Sequence, residues 1–343
     1  MNLLLQACIC SLVVSALVSG ALSRYRGRWA LLDKPNERSL HTHAVPRTGS
    51  LGILAGLLVG AYVAGLYAHL PGARWAAFAL LLVAGVSFAD DLRRLPAAVR
   101  LPVHFAAAVL LIYPGAYAPA VLHLFPGIQA AGPAWAIQAF CLLFTVWMVN
   151  LYNFMDGMDG FAGGMGVIGF GALALLGWLA GSPAYAAAAL IASLATAGFL
   201  PFNFPPARLF MGDAGSGSLG FMVALFLLWA ERTGLFPLWI GVLVFSPFIV
   251  DATWTVLRRT THGQTPWQAH REHFYQRLVQ LGWGHRRTVL WSYALMLKCS
   301  LFALACYCFT SVEVQGGLLG LVAVNYLALM AYINALERRR LSR

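Results

Sequence analysis

The sequence predicts an all-α, polytopic integral membrane protein that crosses the bilayer about eleven times. Of its 343 residues, 60% are hydrophobic and only 10% are charged, whereas about 25% of the residues in an ordinary soluble domain are charged. Long apolar runs continue without the polar alternation that barrel strands need. The basic residues gather in loops that fall on one side of the predicted membrane. These observations exclude a water-soluble enzyme, a disordered chain, a fibrous protein and an outer-membrane barrel.

Each predicted helix is an apolar segment of about 20 residues, roughly the length that spans the hydrocarbon layer. In chain order the segments are residues 2–22, 49–70, 75–89, 101–118, 132–150, 161–181, 184–202, 216–231, 235–257, 288–309 and 316–336. The third is shorter than the others. We treat residues 1–343 as a single membrane domain whose polar motifs lie at 23–48, 90–100, 150–160, 203–216 and 258–288.

The distribution of positive charge predicts the orientation. With eleven spans, 20 of the 23 Lys and Arg residues fall on the same side, and such loops are typically cytoplasmic. The N-terminus is therefore expected outside and the C-terminus in the cytoplasm. A net charge of +11 would suggest nucleic acid in a soluble chain. Here the lipid bilayer is the expected partner, and nucleic acid is not.

Two adjacent carboxylates, Asp90 and Asp91, follow the third apolar segment. Charge at the end of a membrane helix is costly, so both residues are candidates for a functional site. The alternative is a pair of solvated helix caps that face Arg93 and Arg94.

Polar side chains recur at every third position after the fifth segment. Asn150, Asn153 and Asp156 lie within a 120° arc of a helix, because successive residues are about 100° apart. Asp159 can join them if the helix unwinds at the two glycines of this segment. Amide and carboxylate oxygens suit Mg²⁺ together with bound phosphates. The alternative is a polar loop with turn glycines.

A second polar segment, between the seventh and eighth predicted helices, contains Asn203, Asp213 and Ser216. In the functional interpretation, Asp213 is a metal-binding carboxylate beside a helix N-terminus that attracts phosphate. In the alternative, Asp213 and Ser216 cap the following helix.

The longest polar stretch contains His270, Arg271 and His273. The two histidines stand at i and i+3, a spacing that suits zinc, but no third ligand has a recognisable spacing. Cationic and imidazole side chains suit a diphosphate better. The alternative is an amphipathic helix on anionic lipid.

Two further features need an explanation beyond orientation. Asp251 lies inside the ninth apolar segment and is either functional by default or a partner for Arg258 or Arg259. The loop with Lys34 and His41 combines Asp, Asn, His and two prolines, a mixture that a merely basic cytoplasmic loop does not require.

Together these motifs resemble the polyprenyl-phosphate N-acetylhexosamine-1-phosphate transferase family. The matching pieces are DKPNERSLH, FADD, NLYNFMDGMDG, FNFPPARLFMGD with the nearby GS, and HREHFYQ, in family order between residues 33 and 277. The HRxHxYQ form is similar to the branch that initiates O-antigen rather than to the peptidoglycan enzyme. Ser50 and Phe161 depart from the family pattern, but neither stands at a charged position.

The resemblance implies that undecaprenyl phosphate attacks the β-phosphorus of a UDP-N-acetylhexosamine and that UMP leaves. It implies an active site on the cytoplasmic face of a bacterial inner membrane. It implies Mg²⁺, with Mn²⁺ as a substitute, held by Asp213, Asn153 and Asp156. The expected catalytic residues are Asp90, Asp91, Asp156 and Asp159. The expected substrate-binding residues are Asn150, Asn153, Asn203, His270, Arg271, His273, Lys34 and His41.

Other functions stay open at this stage. A transporter of a phosphorylated solute predicts inverted repeats and broken helices at mid-depth, and neither is visible in the sequence. A non-catalytic scaffold does not require concentrated Asp and Asn. The identity of the UDP-sugar, the choice between direct attack and a covalent aspartyl intermediate, and the oligomeric state, with a homodimer among the options, are not determined by the sequence.

Overall fold

The structure, a computed structural model, describes residues 3–25, 31–33, 44–68, 72–114, 117–264 and 271–341. Over these ranges the chain forms thirteen α-helices and two short antiparallel hairpins. The helices are α1 (Leu3–Arg24), α2 (Gly49–Val63), α3 (Ala73–Arg93), α4 (Ala97–Ile112), α5 (Ala134–Phe154), α6 (Phe161–Leu179), α7 (Pro183–Asn203), α8 (Asp213–Thr233), α9 (Leu238–Val244), α10 (Ser246–Thr261), α11 (Phe274–Leu278), α12 (Gly284–Cys308) and α13 (Val312–Leu341). The hairpins pair β1 (Leu32–Asp33) with β2 (Val45–Pro46) and β3 (Leu122–Phe125) with β4 (Ile128–Ala130).

The predicted all-α membrane class is confirmed. Eight of the described helices are long and apolar enough to cross a bilayer, or nine when α9 and α10, bent by 85° at their junction, count as one span. The apolar helices α2 and α4 are shorter. Each predicted segment coincides with a helix or, for the ninth, with the bent pair. The count of eleven crossings and the orientation stay predictions.

Helix α8 occupies the centre of the bundle. In its most apolar 18-residue stretch, 89% of the residues are buried, against 11% in α13. Small residues permit this central position: a Cβ added at Gly220 would lie only 2.4 Å from the carbonyl oxygen of Met148 in α5. The first turn of α8 is therefore surrounded by protein, and its polar groups need partners from other helices.

A buried carboxylate near the C-terminal end of α8 binds two neighbouring segments. Glu231 is 6% exposed. Its Oε1 accepts hydrogen bonds from the backbone N–H of His123 at 2.8 Å and from the His123 ring Nδ1 at 2.7 Å. Its Oε2 accepts the N–H of Leu238, the first residue of α9. The Glu231 side chain thus joins α8, α9 and the β3–β4 hairpin.

Helices α1, α2 and α7 pack closely through small residues. The buried serines of α1 recur every four residues, at 11, 15, 19 and 23. The hydroxyls of Ser11 and Ser15 donate to the carbonyl oxygens of Ile191 and Ala195 in α7, at 3.1 and 2.6 Å. The glycines at 52, 56 and 60 of α2 face the same serines. This is the small-residue packing by which helices associate in a membrane.

We expect Gly56→Ala to destabilise the protein, because the new Cβ would lie 2.6 Å from the Ser11 carbonyl oxygen and 2.8 Å from the Ser15 Cβ. Overpacking of this kind costs about 1–3 kcal/mol. Gly316→Ala in α13 is the matched control, because nothing lies within 4 Å of its added Cβ. Thermal unfolding in detergent should show a lower midpoint for Gly56→Ala alone. Equal midpoints for the two variants would contradict the close packing of α1 on α2.

Candidate active site

The N-terminus of α8 is capped by a carboxylate from α3. Asp213 and Ala214 donate their backbone N–H groups to Oδ1 and Oδ2 of Asp91, at 3.0 and 3.1 Å. The Asp91 side chain is fully buried. Gly212 precedes the helix with a φ of +77°, and no side chain of the α8 segment caps it. The expectation that Asp213 and Ser216 cap this helix is therefore wrong.

The guanidinium of Arg47 lies against the same carboxylates. Its Nη2 is 2.7 Å from Asp91 Oδ1 and 3.4 Å from Asp213 Oδ1. The backbone holds Arg47 in place, because Phe210 donates its N–H to the Pro46 carbonyl oxygen at 2.7 Å. A Cβ at position 212 would lie 2.7 Å from the Arg47 carbonyl oxygen, so this approach requires the glycine.

Asp90 has a different cationic partner. Its Oδ2 is 2.6 Å from Nη1 of Arg100, and its Oδ1 accepts the N–H of Leu95 at 2.5 Å. The same Arg100 Nη1 is 4.0 Å from Asp213 Oδ2. Asp90 and Asp91 are both buried, whereas Arg93 and Arg94 are exposed. The interpretation of Asp90 and Asp91 as solvated caps facing Arg93 and Arg94 is therefore wrong.

Asn153 reaches the N-terminal turn of α8, and the charge of Asp213 acts on Asp156. Asn153 donates its side-chain Nδ2–H to Ser216 Oγ at 3.1 Å. The Asp156 carboxylate makes no hydrogen bond or ion pair with any residue that the structure describes. Burial, followed by the charge of Asp213, raises the pKa of Asp156 to about 8. We call Asp90, Asp91, Asp156 and Asp213 the acidic cluster; within it, only the charge of Asp156 lacks a described partner.

Of the four polar side chains predicted to converge, Asn153 contacts α8, and Asp156 is affected by the charge of Asp213. The amide of Asn150 donates to the Val146 carbonyl oxygen at 2.8 Å and lies 3.3 Å from His104 Nδ1. Asp159 accepts the N–H of Ala207 at 3.0 Å and lies 3.2 Å from His285 Nδ1. These contacts direct Asn150 and Asp159 away from α8. The predicted unwinding is present, since α5 ends at 154 and α6 begins at 161.

Asn203 links two loops of the site. Its Oδ1 accepts the N–H of Gly160, and its Nδ2 donates to the Leu209 carbonyl oxygen, both at 3.0 Å. The residue is only 3% exposed. Its role in the fold is to connect the start of α6 to the segment before α8, and its expected contact with substrate stays a prediction.

The segment with the histidine motif is anchored by Asp251 of α10. Asp251 Oδ1 lies 3.1 Å from His273 Nδ1 and accepts the Phe274 N–H at 3.0 Å. Its Oδ2 accepts the Tyr275 N–H at 3.4 Å. Arg259 pairs with Glu272 instead, so the expectation that Asp251 pairs with Arg258 or Arg259 is wrong.

Three predicted substrate-binding residues, Lys34, His41 and His270, lie outside the described residues. Arg271 is partly exposed and its carbonyl oxygen accepts a hydrogen bond from Gln280 Nε2 at 2.8 Å. His273 is only 3% exposed, so it reaches a ligand only if the segment moves.

Sequence reasoning missed several residues that the structure brings to the site. They are Arg47, Arg100, His104, Tyr275 and His285. The arginines stand among other basic residues and could not be separated from those that set orientation. Tyr275 could have been found from the sequence, because it is the tyrosine of the HRxHxYQ motif. Its hydroxyl donates to the Phe154 carbonyl oxygen at 3.3 Å and would meet a Cβ at Gly157 at 2.2 Å, which explains the glycine.

Among the described residues, no three His, Cys, Asp or Glu side chains are arranged to hold a metal ion. The predicted set consists of two carboxylates and one amide. That composition suits Mg²⁺, which is usually bound by one or two carboxylates together with substrate phosphates and water.

The chain resembles known proteins over most of its length. Residues 74–231 match the model of glycosyl transferase family 4. A probable undecaprenyl-phosphate N-acetylglucosaminyl 1-phosphate transferase of Bacillus subtilis is 27% identical over 84% of this chain and 81% of its own length. The undecaprenyl-phosphate alpha-N-acetylglucosaminyl 1-phosphate transferase of Escherichia coli K12 is 28% identical over 81% and 77%. A decaprenyl-phosphate N-acetylglucosaminephosphotransferase of Mycobacterium tuberculosis is 27% identical over 81% and 76%.

The family match covers α3 to α8, the helices that supply the acidic cluster. Together with these relatives it shows that the chain is similar to glycosyl transferase family 4 over the part that contains the acidic cluster.

We expect Asp251→Asn to loosen the segment from 271 to 283 while the rest of the bundle stays folded. The amide retains one acceptor oxygen and presents an N–H₂ group where the carboxylate accepts from Thr255 and from three donors of the segment. A hydrogen bond to a charged group contributes about 1.5–3 kcal/mol. Hydrogen exchange in that segment should accelerate by about tenfold or more. Glu313→Gln, at an exposed carboxylate, is the control. Unchanged exchange would show that Asp251 does not anchor the segment.

Proposed function

We propose that the protein transfers an N-acetylhexosamine-1-phosphate from a UDP-sugar to undecaprenyl phosphate. An oxygen of the lipid phosphate forms a bond to the β-phosphorus, the bond between that phosphorus and the bridging oxygen breaks, and UMP leaves with the bridging oxygen. The product is undecaprenyl-diphospho-N-acetylhexosamine. This would be the initiating step of O-antigen or another cell-envelope polysaccharide. The names of the relatives favour N-acetylglucosamine as the sugar.

The observation that carries the proposal is the acidic cluster at the N-terminus of α8. Four carboxylates are concentrated where membrane helices end, and two arginines reach them. A transferring phosphoryl group carries charge that cations stabilise in the transition state. A site of this composition at a membrane boundary suits one lipid-borne and one water-borne phosphate substrate.

Mg²⁺ is the proposed cofactor, with Asp213, Asn153 and Asp156 as its ligands. The carboxyl of Asp156, which has no described partner, and its raised pKa support this assignment. Burial and the charge of Asp213 disfavour its ionised form, and a divalent cation would stabilise that form. The side chain of Asp213 is 29% exposed and therefore accessible from the site. When bound, the ion would reduce the negative charge of the diphosphate.

The contacts of the other carboxylates indicate their roles. Both oxygens of Asp91 accept backbone N–H groups, and both oxygens of Asp90 are engaged by Arg100 and Leu95. We therefore infer that these residues hold the site in shape. A phosphate monoester with a second pKa of about 6 is mostly ionised at neutral pH, so the lipid phosphate can attack directly without transferring a proton to Asp90 or Asp91.

The segment around Arg271 is proposed to capture the nucleotide sugar. It follows α10 and is anchored by Asp251 only from position 273 onward. An arginine there can make a bidentate contact with a diphosphate. The proposed metal-binding carboxylates lie at helix ends. We therefore assign binding of the UDP-sugar and the chemical step to different parts of the chain.

We expect purified protein to exchange radiolabelled UMP into UDP-N-acetylglucosamine when undecaprenyl phosphate is present. A panel of UDP-sugars identifies the sugar. Chelation by EDTA should abolish the exchange, and added Mg²⁺ should restore it. Asp213→Asn should lower turnover by at least about 10²-fold, because it removes a ligand of the group that stabilises transition-state charge.

Glu313→Gln, an exposed carboxylate in the first turn of α13, is the control and should keep wild-type turnover. Solute uptake without UMP exchange would favour a transporter and overturn the proposal. Exchange that survives excess EDTA would remove the metal from it.

Orientation is a separate prediction. If the site faces the cytoplasm of a bacterial inner membrane, Cys at Gln264 should be protected from an impermeant thiol reagent in intact cells. Cys at Gln129, in the β4 strand, should be labelled. Both residues are exposed in the structure. Labelling of Gln264→Cys together with protection of Gln129→Cys would invert the topology.

A further inference from the structure

Arg47 is a fixed positive charge inside the acidic cluster. Its guanidinium bridges Asp91 Oδ1 at 2.7 Å and Asp213 Oδ1 at 3.4 Å. Burial lowers the pKa of Arg47, but the charges of Asp91 and Asp213, followed by those of Asp33 and Asp156, raise it above its usual value. The side chain is 23% exposed, so solvent only partly screens these interactions.

The backbone gives Arg47 little freedom to withdraw. Its own N–H donates to the Leu31 carbonyl oxygen at 2.8 Å. On its C-terminal side, Gly49 and Ser50 donate their N–H groups to the carbonyl oxygens of Phe210 and Met211, both at 2.9 Å. The guanidinium therefore stays beside Asp213.

The charges in the acidic cluster indicate the role of Arg47. Arg100 balances Asp90, and Arg47 with two backbone N–H groups balances Asp91. Asp213 is shared between the two arginines, and Asp156 has no described partner. A divalent cation that binds Asp213 and Asp156 must do so beside a cation that is already present, and like charges repel.

We propose that Arg47 is an internal counter-cation that keeps the affinity of the acidic cluster for a divalent metal low until a substrate diphosphate adds negative charge. This rests on the proposed function, because it takes Asp213 and Asp156 as metal ligands. Metal and nucleotide sugar then bind together. Arg47 acts on the site through Asp91 and Asp213 and is a positioning residue.

The test measures metal binding and does not depend on turnover. Mn²⁺ is titrated into purified protein without substrate, and free Mn²⁺ is followed by electron paramagnetic resonance. Arg47→Gln should tighten Mn²⁺ binding by about tenfold, because a charge close to the metal is removed. Arg47→Lys keeps the charge and should stay within about threefold of wild type. Arg93→Gln removes an exposed charge at the end of α3 and should have no effect.

If Arg47→Gln does not fold, two further variants test the same effect of charge on Mn²⁺ binding. Asp91→Asn alone removes a negative charge and should weaken Mn²⁺ binding by about tenfold. Arg47→Gln combined with Asp91→Asn leaves the net charge of the site as in wild type. The double variant should bind Mn²⁺ about tenfold more tightly than Asp91→Asn alone, because the two share the altered cap of α8 and differ only in the charge at position 47.

The outcomes separate this inference from the proposed function. Unchanged or weaker Mn²⁺ binding by folded Arg47→Gln overturns the inference, even if wild-type protein exchanges UMP. No measurable Mn²⁺ binding by wild type and variant alike also overturns it. Tighter binding by Arg47→Gln in a protein that never exchanges UMP supports the charge role of Arg47 and rejects the proposed transferase.

Discussion

The site depends on one interaction, the burial of the first backbone N–H groups of α8 against the carboxylate of Asp91. A helix that starts inside a protein exposes amide donors to a region with little water, and leaving them unpaired is costly. Asp91 supplies both acceptors from α3. This fixes the start of α8 relative to α3 and places Asp213, the first residue of α8, beside Asp91. The position of the proposed metal ligand is thus a consequence of helix capping.

A buried carboxylate in turn requires cations. Asp91 pairs with Arg47 from the segment before α2, and Asp90 pairs with Arg100 of α4. Four parts of the chain that are distant in sequence are therefore joined through charge. The two arginines face three carboxylates, because Asp213 lies near both of them. Negative charge is in excess even before Asp156, whose carboxyl has no partner among the described residues and whose pKa is raised to about 8 by burial and by Asp213. A phosphate-transfer site can use this excess negative charge, because a cation bound beside Asp156 is held both by protein carboxylates and by the phosphates of the substrate.

The sequence was sufficient for the fold class, since the apolar segments and their lengths reflect the bilayer directly. It identified the segments at 90–91, 150–160 and 203–216, because Asp and Asn are rare near membrane helices and stand out. It did not predict the partners. Arg47 and Arg100 look like ordinary orientation-determining arginines, and only the folded chain shows that they face Asp91 and Asp90. Asp159 shares a sequence period with Asn153 and Asp156, but the chain leaves the helix after Phe154, so beyond that residue the period no longer predicts direction.

Two other buried carboxylates cap the N-terminus of a neighbouring helix, as Asp91 does. Glu231 of α8 accepts the first N–H of α9, and Asp251 of α10 accepts the first two N–H groups of α11. In each case a buried carboxylate on one helix satisfies the N-terminus of another. Short or bent helices are difficult to accommodate within a bilayer because their ends fall where water is scarce. A carboxylate from a neighbouring helix resolves this difficulty and fixes the geometry of the pair. Asp91, Glu231 and Asp251 are therefore required by the fold. Within the acidic cluster this leaves Asp156 and the partly exposed Asp213 as the carboxylates available for chemistry.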